Sequence, residues 1–145
     1  MWRNIVVIGL ILILVTMMGG CTQTFTRDPN ISMNQQFSVG DLEYTITYAQ
    51  WKPGTFGGED YYWGGTVSNK GNHEITQEIS IQKYIMQNGY EYKPYNMRPY
   101  TGTSISVNPG KSSTFSFFGY GIDPDFKPVA KIYFTIEGQQ YIANV

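Results

Sequence analysis

The chain has 145 residues, with ten Lys and Arg against eleven Asp and Glu, one His, one Cys and a formal net charge of −1. That near-neutral balance, without a basic stripe or polybasic cluster, speaks against nucleic acid or an anionic lipid surface as an electrostatic partner. A single cysteine leaves no internal disulfide framework, and one histidine beside it falls short of a zinc ligand set.

The amino-terminal segment carries the clearest signal. Arg3 gives a positive start, and the chain is then uncharged from Ile5 to Met18. As a helix at ~1.5 Å per residue this run is roughly 21 Å long, short of the ~30 Å hydrocarbon core of a bilayer. A positive start, a short apolar run and small residues after it are the parts of a signal peptide. Met18-Gly19-Gly20-Cys21 then resembles the lipobox of prokaryotic lipoproteins, with Met18 where Leu is usual. The resemblance implies cleavage after Gly20, a lipid on Cys21, and residence at the extracytoplasmic face of the cell membrane. More than one acyl chain on that cysteine suffices for stable anchoring. An uncleaved anchor helix and plain secretion are the alternatives. The expected organisation is a signal-peptide helix over residues 1–20, a flexible tether over 21–36 and one domain over 37–145. Pro29, Asn30 and several small polar residues suggest the tether.

Tyr, Thr, Ser, Gly and Asn dominate the domain, a composition suited to strands and turns. Leu42 to Tyr48 alternates apolar and polar residues, with Leu42, Tyr44, Ile46 and Tyr48 on one face. Trp51 falls on the opposite parity, so a bulge near Ala49 or Gln50 is expected to turn it inward. Tyr61 to Ser68 is a second strand, with Trp63, Gly65 and Val67 on one face. Gly64-Gly65 permits a bulge or the close approach of another backbone. Asn69 to Asn72 is a turn. Ile75 to Met86 follows as a long strand with Ile79, Ile81 and Ile85 on one parity. Asn88-Gly89 predicts a hairpin, with Tyr90, Tyr92 and Tyr95 on its returning arm. Asn108-Pro109-Gly110-Lys111 turns the chain into Ser112 to Phe118, and Ala130 to Ile136 pairs through Glu137-Gly138 with Gln139 to Val145. About seven short strands at this spacing predict an all-β fold, an immunoglobulin-like antiparallel β-sandwich, with a closed barrel as the alternative.

From Phe37 onward the chain also resembles the immunoglobulin-like, telokin-like domains of unknown function found in prokaryotic lipoproteins. The matching stretches are Phe37 to Ile46, Val67-Ser68-Asn69-Lys70-Gly71, the Asn88 to Tyr92 hairpin, and Val107 to Lys111 before a Phe-rich strand. Tyr62-Trp63-Gly64-Gly65 stands where the resemblance implies an aliphatic strand. It implies a fold and a cell-surface address, with no catalytic residues to carry over.

Chemistry-bearing residues are sparse. His73, in a turn-like stretch, has no accompanying nucleophile motif. Glu59-Asp60 and Asp123-Pro124-Asp125 offer carboxylates without the other positions of a calcium loop. No metal or other cofactor is therefore expected, and no catalytic role is assigned. The aromatic excess is the suggestive feature, because exposed Tyr and Trp offer rigid, amphipathic contact area. Cross-strand packing of the same rings is the competing reading. The candidate contact segment is Tyr90 to Tyr100, with Tyr90, Tyr92, Tyr95, Arg98 and Tyr100 as its residues and a protein or carbohydrate as its partner. The resulting expectation is a membrane-anchored, non-catalytic binding module. Its alternative is an accessory envelope subunit held by pairing at a sheet edge.

Overall fold

The computed structural model describes residues 30–54, 57–94, 102–119, 122, 125 and 127–145. Two sheets face each other as a β-sandwich. The strands in chain order are β1 (Asn30–Ser32), β2 (Gln36–Val39), β3 (Leu42–Pro53), β4 (Glu59–Asn69), β5 (Ile75–Met86), β6 (Glu91–Tyr92), β7 (Gly102–Val107), β8 (Ser112–Gly119), β9 (Val129–Ile136) and β10 (Gln139–Asn144). One sheet runs β2-β3-β4-β8. The other runs β1-β10-β9-β5, and β5 carries β7 along its first half and β6 along its second. The chain crosses between sheets after β1, β4, β7 and β8. The sandwich is the architecture the alternation predicts. The ten strands among the described residues exceed the expected seven by β1, β2 and β7; β1 and β2 are short and leave little periodicity to read.

β1 corrects the expected domain boundary. Asn30–Ser32 pairs in parallel with β10, and the Ile31 side chain is buried. The sandwich therefore includes Asn30–Ser32, inside the segment read as tether. One apolar residue closing the gap between two sheets is a weak signal among polar neighbours. The signal peptide, Gly20 and Cys21 lie outside the described residues.

The core collects the inward rows of both sheets. Trp63 is fully buried at its centre, stacked on Phe117 at 4.8 Å and packed against Phe134 at 5.3 Å. Its indole N–H donates to the Tyr84 hydroxyl at 3.2 Å. Tyr44 donates to the Gln77 side-chain oxygen at 2.8 Å, and the Gln77 amide donates to the Val39 carbonyl at 3.1 Å. These bonds join the two sheets while leaving the phenols and the amide satisfied, the condition for burying polar groups at little cost.

Three register slips interrupt the ladders, at Thr47, at Gln82 and at Ala130 of β9, and the first two set the parity of β3 and β5. Between Ile46 and Tyr48 the pairing of β3 with β4 slips at Thr47. Ala49 and Trp51 then turn inward, while Tyr48 leaves the face it would otherwise share with Ile46. The bulge lies upstream of the expected Ala49–Gln50 position. Gly64 and Gly65 sit opposite it, and a Cβ on Gly65 would collide with the Thr45 carbonyl. The glycine pair is thus the space the bulge occupies. A second slip, at Gln82 in β5, puts Tyr84 and Met86 in the core beside Ile79 and Ile81 and turns Ile85 outward. The expected shared parity of Ile85 with Ile79 and Ile81 fails for that reason.

Candidate functional site

The β5–β6 hairpin presents the first part of the candidate segment. Tyr84 and Tyr92 are paired in register, so Gln87, Asn88 and Gly89 lie in the turn, with Gly89 at φ 84°. A left-handed glycine ending a three-residue connection suits the strand twist. The Asn88 carboxamide accepts from the Tyr90 N–H at 2.9 Å and fixes the turn. Tyr90, at 46 % exposure, is the one large exposed hydrophobic side chain among the described residues. Tyr92 is half-buried, its ring 6.4 Å from that of Tyr84. Tyr95, Arg98 and Tyr100 lie outside the described residues.

The base of the hairpin is charged. Glu91 accepts from Lys83 at 2.8 Å and pairs with Lys93 at 3.3 Å. The Lys83 hydrogen bond, then that of Lys93, holds the Glu91 carboxyl below its ordinary value, and Glu91 holds the Lys83 ammonium above its own. Lys83 also lies 4.8 Å over the Tyr133 ring. These exposed pairs are screened by solvent and fix side-chain positions more than they stabilise the fold.

Part of the aromatic excess goes to packing. Tyr61, Trp63 and Tyr84 are buried, and Trp51 is half-buried against Tyr61 at 5.3 Å. The Trp51 N–H is buried without a hydrogen-bond partner among the described residues. Lys127 covers the Trp51 ring at 4.9 Å and pairs with Glu59. Tyr90 is exposed and Tyr62 is half-buried, so the aromatic residues do not all sit in the core. In the inter-sheet space Tyr61 and Trp63 of β4 lie beside Phe115 and Phe117 of β8.

The other candidates are dispersed. His73 is exposed, its ring 3.1 Å from the Asn72 carboxamide. Asp125 is exposed, and Asp123 and Pro124 lie outside the described residues. No group of three His, Cys, Asp or Glu side chains among the described residues is placed to hold a metal ion. A cavity of about 400 Å3 opens between the sheets beside β1 and β2, lined by Ile31, Gln35, Gln36, Phe37 and Tyr141 among others.

A second aromatic surface escaped the sequence reading. Tyr48 and Tyr62 lie on the outer face of the four-stranded sheet, with Phe118 5.2 Å from Tyr62 and Lys52 reaching both tyrosine rings at 5.6 and 5.4 Å. Tyr48 was assigned inward because the bulge at Thr47 is silent in the alternation. Phe118, breaking the Phe115-Ser116-Phe117 alternation, was the available signal.

No protein-family model and no curated protein matches this chain. Among solved structures, an uncharacterized β-sandwich protein from Clostridium difficile 630 is similar at a TM-score of 0.47 and 14 % identity, over 86 % of this chain and 98 % of its own. A member of the DUF1425 family from Shewanella sp. pv-4 is similar at 0.43 and 8 % identity, over 70 % of this chain and 84 % of its own. Neither likeness bears on activity.

Proposed function

We propose that the protein is a lipid-anchored extracytoplasmic lipoprotein whose β-sandwich is a non-catalytic binding module at the cell envelope. The observation that carries this reading is Met18-Gly19-Gly20-Cys21 after an uncharged run, with Cys21 the sole cysteine. Lipidation gives that cysteine a purpose that neither a disulfide nor a metal site supplies. If Cys21 carries the anchor, the eight residues from Thr22 to Pro29 span at most about 28 Å and would hold the paired Asn30 close to the bilayer. The exposed Tyr90 at a hairpin tip supports recognition of a partner.

Intact mass and membrane fractionation of the full chain and of Cys21→Ser in a bacterial host test the anchor. Loss of residues 1–20 with a lipid-sized mass gain, absent in the variant, is the expected result. A full-length chain without added mass sinks it.

One observation favours a second reading, an accessory subunit held by strand addition. β8 is an eight-residue strand at the end of its sheet, without charge or proline from Ser112 to Gly119. Such an edge is a template for pairing. Sedimentation separates the two readings, because a partner-free chain that self-associates through β8 favours the second.

A further inference from the structure

We infer that Asn88-Gly89, at the tip of the β5–β6 hairpin, is a self-modification site at which the folded chain converts Asn88 to isoaspartate with water as the co-reactant. The inference goes beyond the binding-module reading and does not depend on it. Asn88-Gly89 is the one Asn-Gly pair in the sequence, and both residues are exposed. The chemistry needs a carboxamide beside an unhindered backbone N–H. The Gly89 nitrogen, on losing its proton, attacks Asn88 Cγ. The new N–Cγ bond closes a succinimide ring as the Cγ–Nδ2 bond breaks, and ammonia leaves with that proton. Water then opens the ring at either carbonyl carbon. Attack at Cγ gives aspartate. Attack at the backbone carbon leaves the chain routed through Cγ, which is isoaspartate. Nothing is oxidised or reduced.

The surroundings single this pair out. A side chain following the asparagine would shield the nitrogen, but Gly89 has none, and nothing lies within 4 Å of where its Cβ would stand. Asn108 precedes Pro109, whose nitrogen carries no proton. Asn69 is buried, and its carboxamide is held by the His73 and Val107 carbonyls. Asn30 and Asn144 precede the branched Ile31 and Val145, and Asn34 and Asn72 precede Gln35 and His73.

The hydrogen bonds of the tip oppose the reaction and set its rate. The Gly89 N–H donates to the Met86 carbonyl at 2.9 Å, and the Asn88 carboxamide accepts from the Tyr90 N–H at 2.9 Å. Both bonds must open before the nitrogen meets Cγ. Both lie in an exposed turn, where exchange with water makes a hydrogen bond worth little. β6, which follows the turn, is two residues long. The tip therefore opens locally while the sandwich stays folded. The product then remodels it. Isoaspartate adds a methylene to the backbone between Met86 and Tyr90 and removes the carboxamide that fixed the Tyr90 N–H. Aspartate keeps an acceptor oxygen at that place. Tyr90, exposed at the tip, is released in the isoaspartyl form alone.

The full-length protein in detergent, incubated in mildly alkaline buffer, tests this by peptide mass and by labelling with an isoaspartyl methyltransferase. The peptide spanning Asn88 gains the mass of OH over NH2, accepts a methyl group at that residue, and does so ahead of every other described asparagine. Gly89→Ala, shown by thermal melting to be folded, slows the gain about tenfold. Urea accelerates it on the order of tenfold in the unsubstituted chain, because the two bonds no longer need to open. Exchange of the Tyr90 amide hydrogen quickens about tenfold in the isoaspartyl form and stays within about twofold in Asn88→Asp. An Asn88 that survives in the folded protein while it reacts in urea overturns the inference. So does a mass gain without methylation, which is direct hydrolysis, or a faster gain at another described asparagine. Cys21→Ser reacts at the same rate, so this result is read apart from the anchor.

Discussion

Asn69 shows how one side chain can hold a crossing between sheets. Its carboxamide donates to the His73 carbonyl at 2.8 Å and the Val107 carbonyl at 2.7 Å, and accepts from the Gly71 N–H at 2.8 Å. Its backbone N–H donates to the Lys111 carbonyl at 2.9 Å, and its carbonyl accepts from Gly110 at 3.1 Å. The β4–β5 crossing and the β7–β8 turn are thereby latched to one buried residue. Asn69→Leu keeps the volume but strands three backbone groups. It is expected to cost about 3 kcal/mol, read as a lower urea midpoint at unchanged slope. An effect below about 1 kcal/mol would mean that water replaces the amide. Asn69 was read in the sequence only as a turn residue, since its local bonds to Gly71 and His73 look like any turn and its reach to Val107 leaves no periodic trace.

At the scale of the strands, the bulge of β3 and the glycines of β4 are one feature. A Cβ on Gly65 would meet the Thr45 carbonyl and come within 2.9 Å of the Ile46 Cα. The contact is with backbone, so it is relieved only by moving a strand. Gly89 differs, with φ 84° and open space around it. Gly65→Ala is expected to destabilise by about 3 kcal/mol and Gly89→Ala by about 1 kcal/mol, compared by thermal unfolding. Equal losses would show that β3 yields easily. Strand existence was legible here because Leu42-Glu43-Tyr44-Thr45-Ile46 and Phe115-Ser116-Phe117 alternate cleanly. Parity beyond Thr47 and Gln82 was not, because a bulge is set by the partner strand. Trp51 betrayed the first bulge by falling out of phase. Nothing betrayed the second, since Tyr84, Ile85 and Met86 are apolar on both parities. Local turn chemistry made the hairpin that carries Tyr90 legible, while the outward turn of Tyr48 beside Tyr62 was missed.

At the scale of the whole molecule, the aromatic core ties stability to alkaline pH. Burial pushes the phenols of Tyr44, Tyr61 and Tyr84 well above their ordinary value. Negative charge on Glu137 adds to the shift at Tyr44, and the Trp63 N–H opposes it at Tyr84. The fold therefore keeps three protons that the unfolded chain releases above about pH 10. By linkage their contribution is complete below that pH and is lost as pH rises. Phenolate absorbance and far-ultraviolet circular dichroism, followed together through an alkaline titration, are expected to show these tyrosines ionising only as the sheets are lost. Full ionisation with intact dichroism would show that the core admits hydroxide.

The parallel pairing of β1 with β10 has a mechanical consequence. The first and last strands lie side by side and point the same way, with Asn30 beside Ile142 and Ser32 beside Asn144. A tug on the amino end of β1 runs along the strand axis, so its inter-strand bonds are loaded together in shear instead of being peeled one at a time. The chain then passes directly into β2 of the opposite sheet, and the load is shared across the sandwich. The domain resists traction from the side on which it is proposed to be tied.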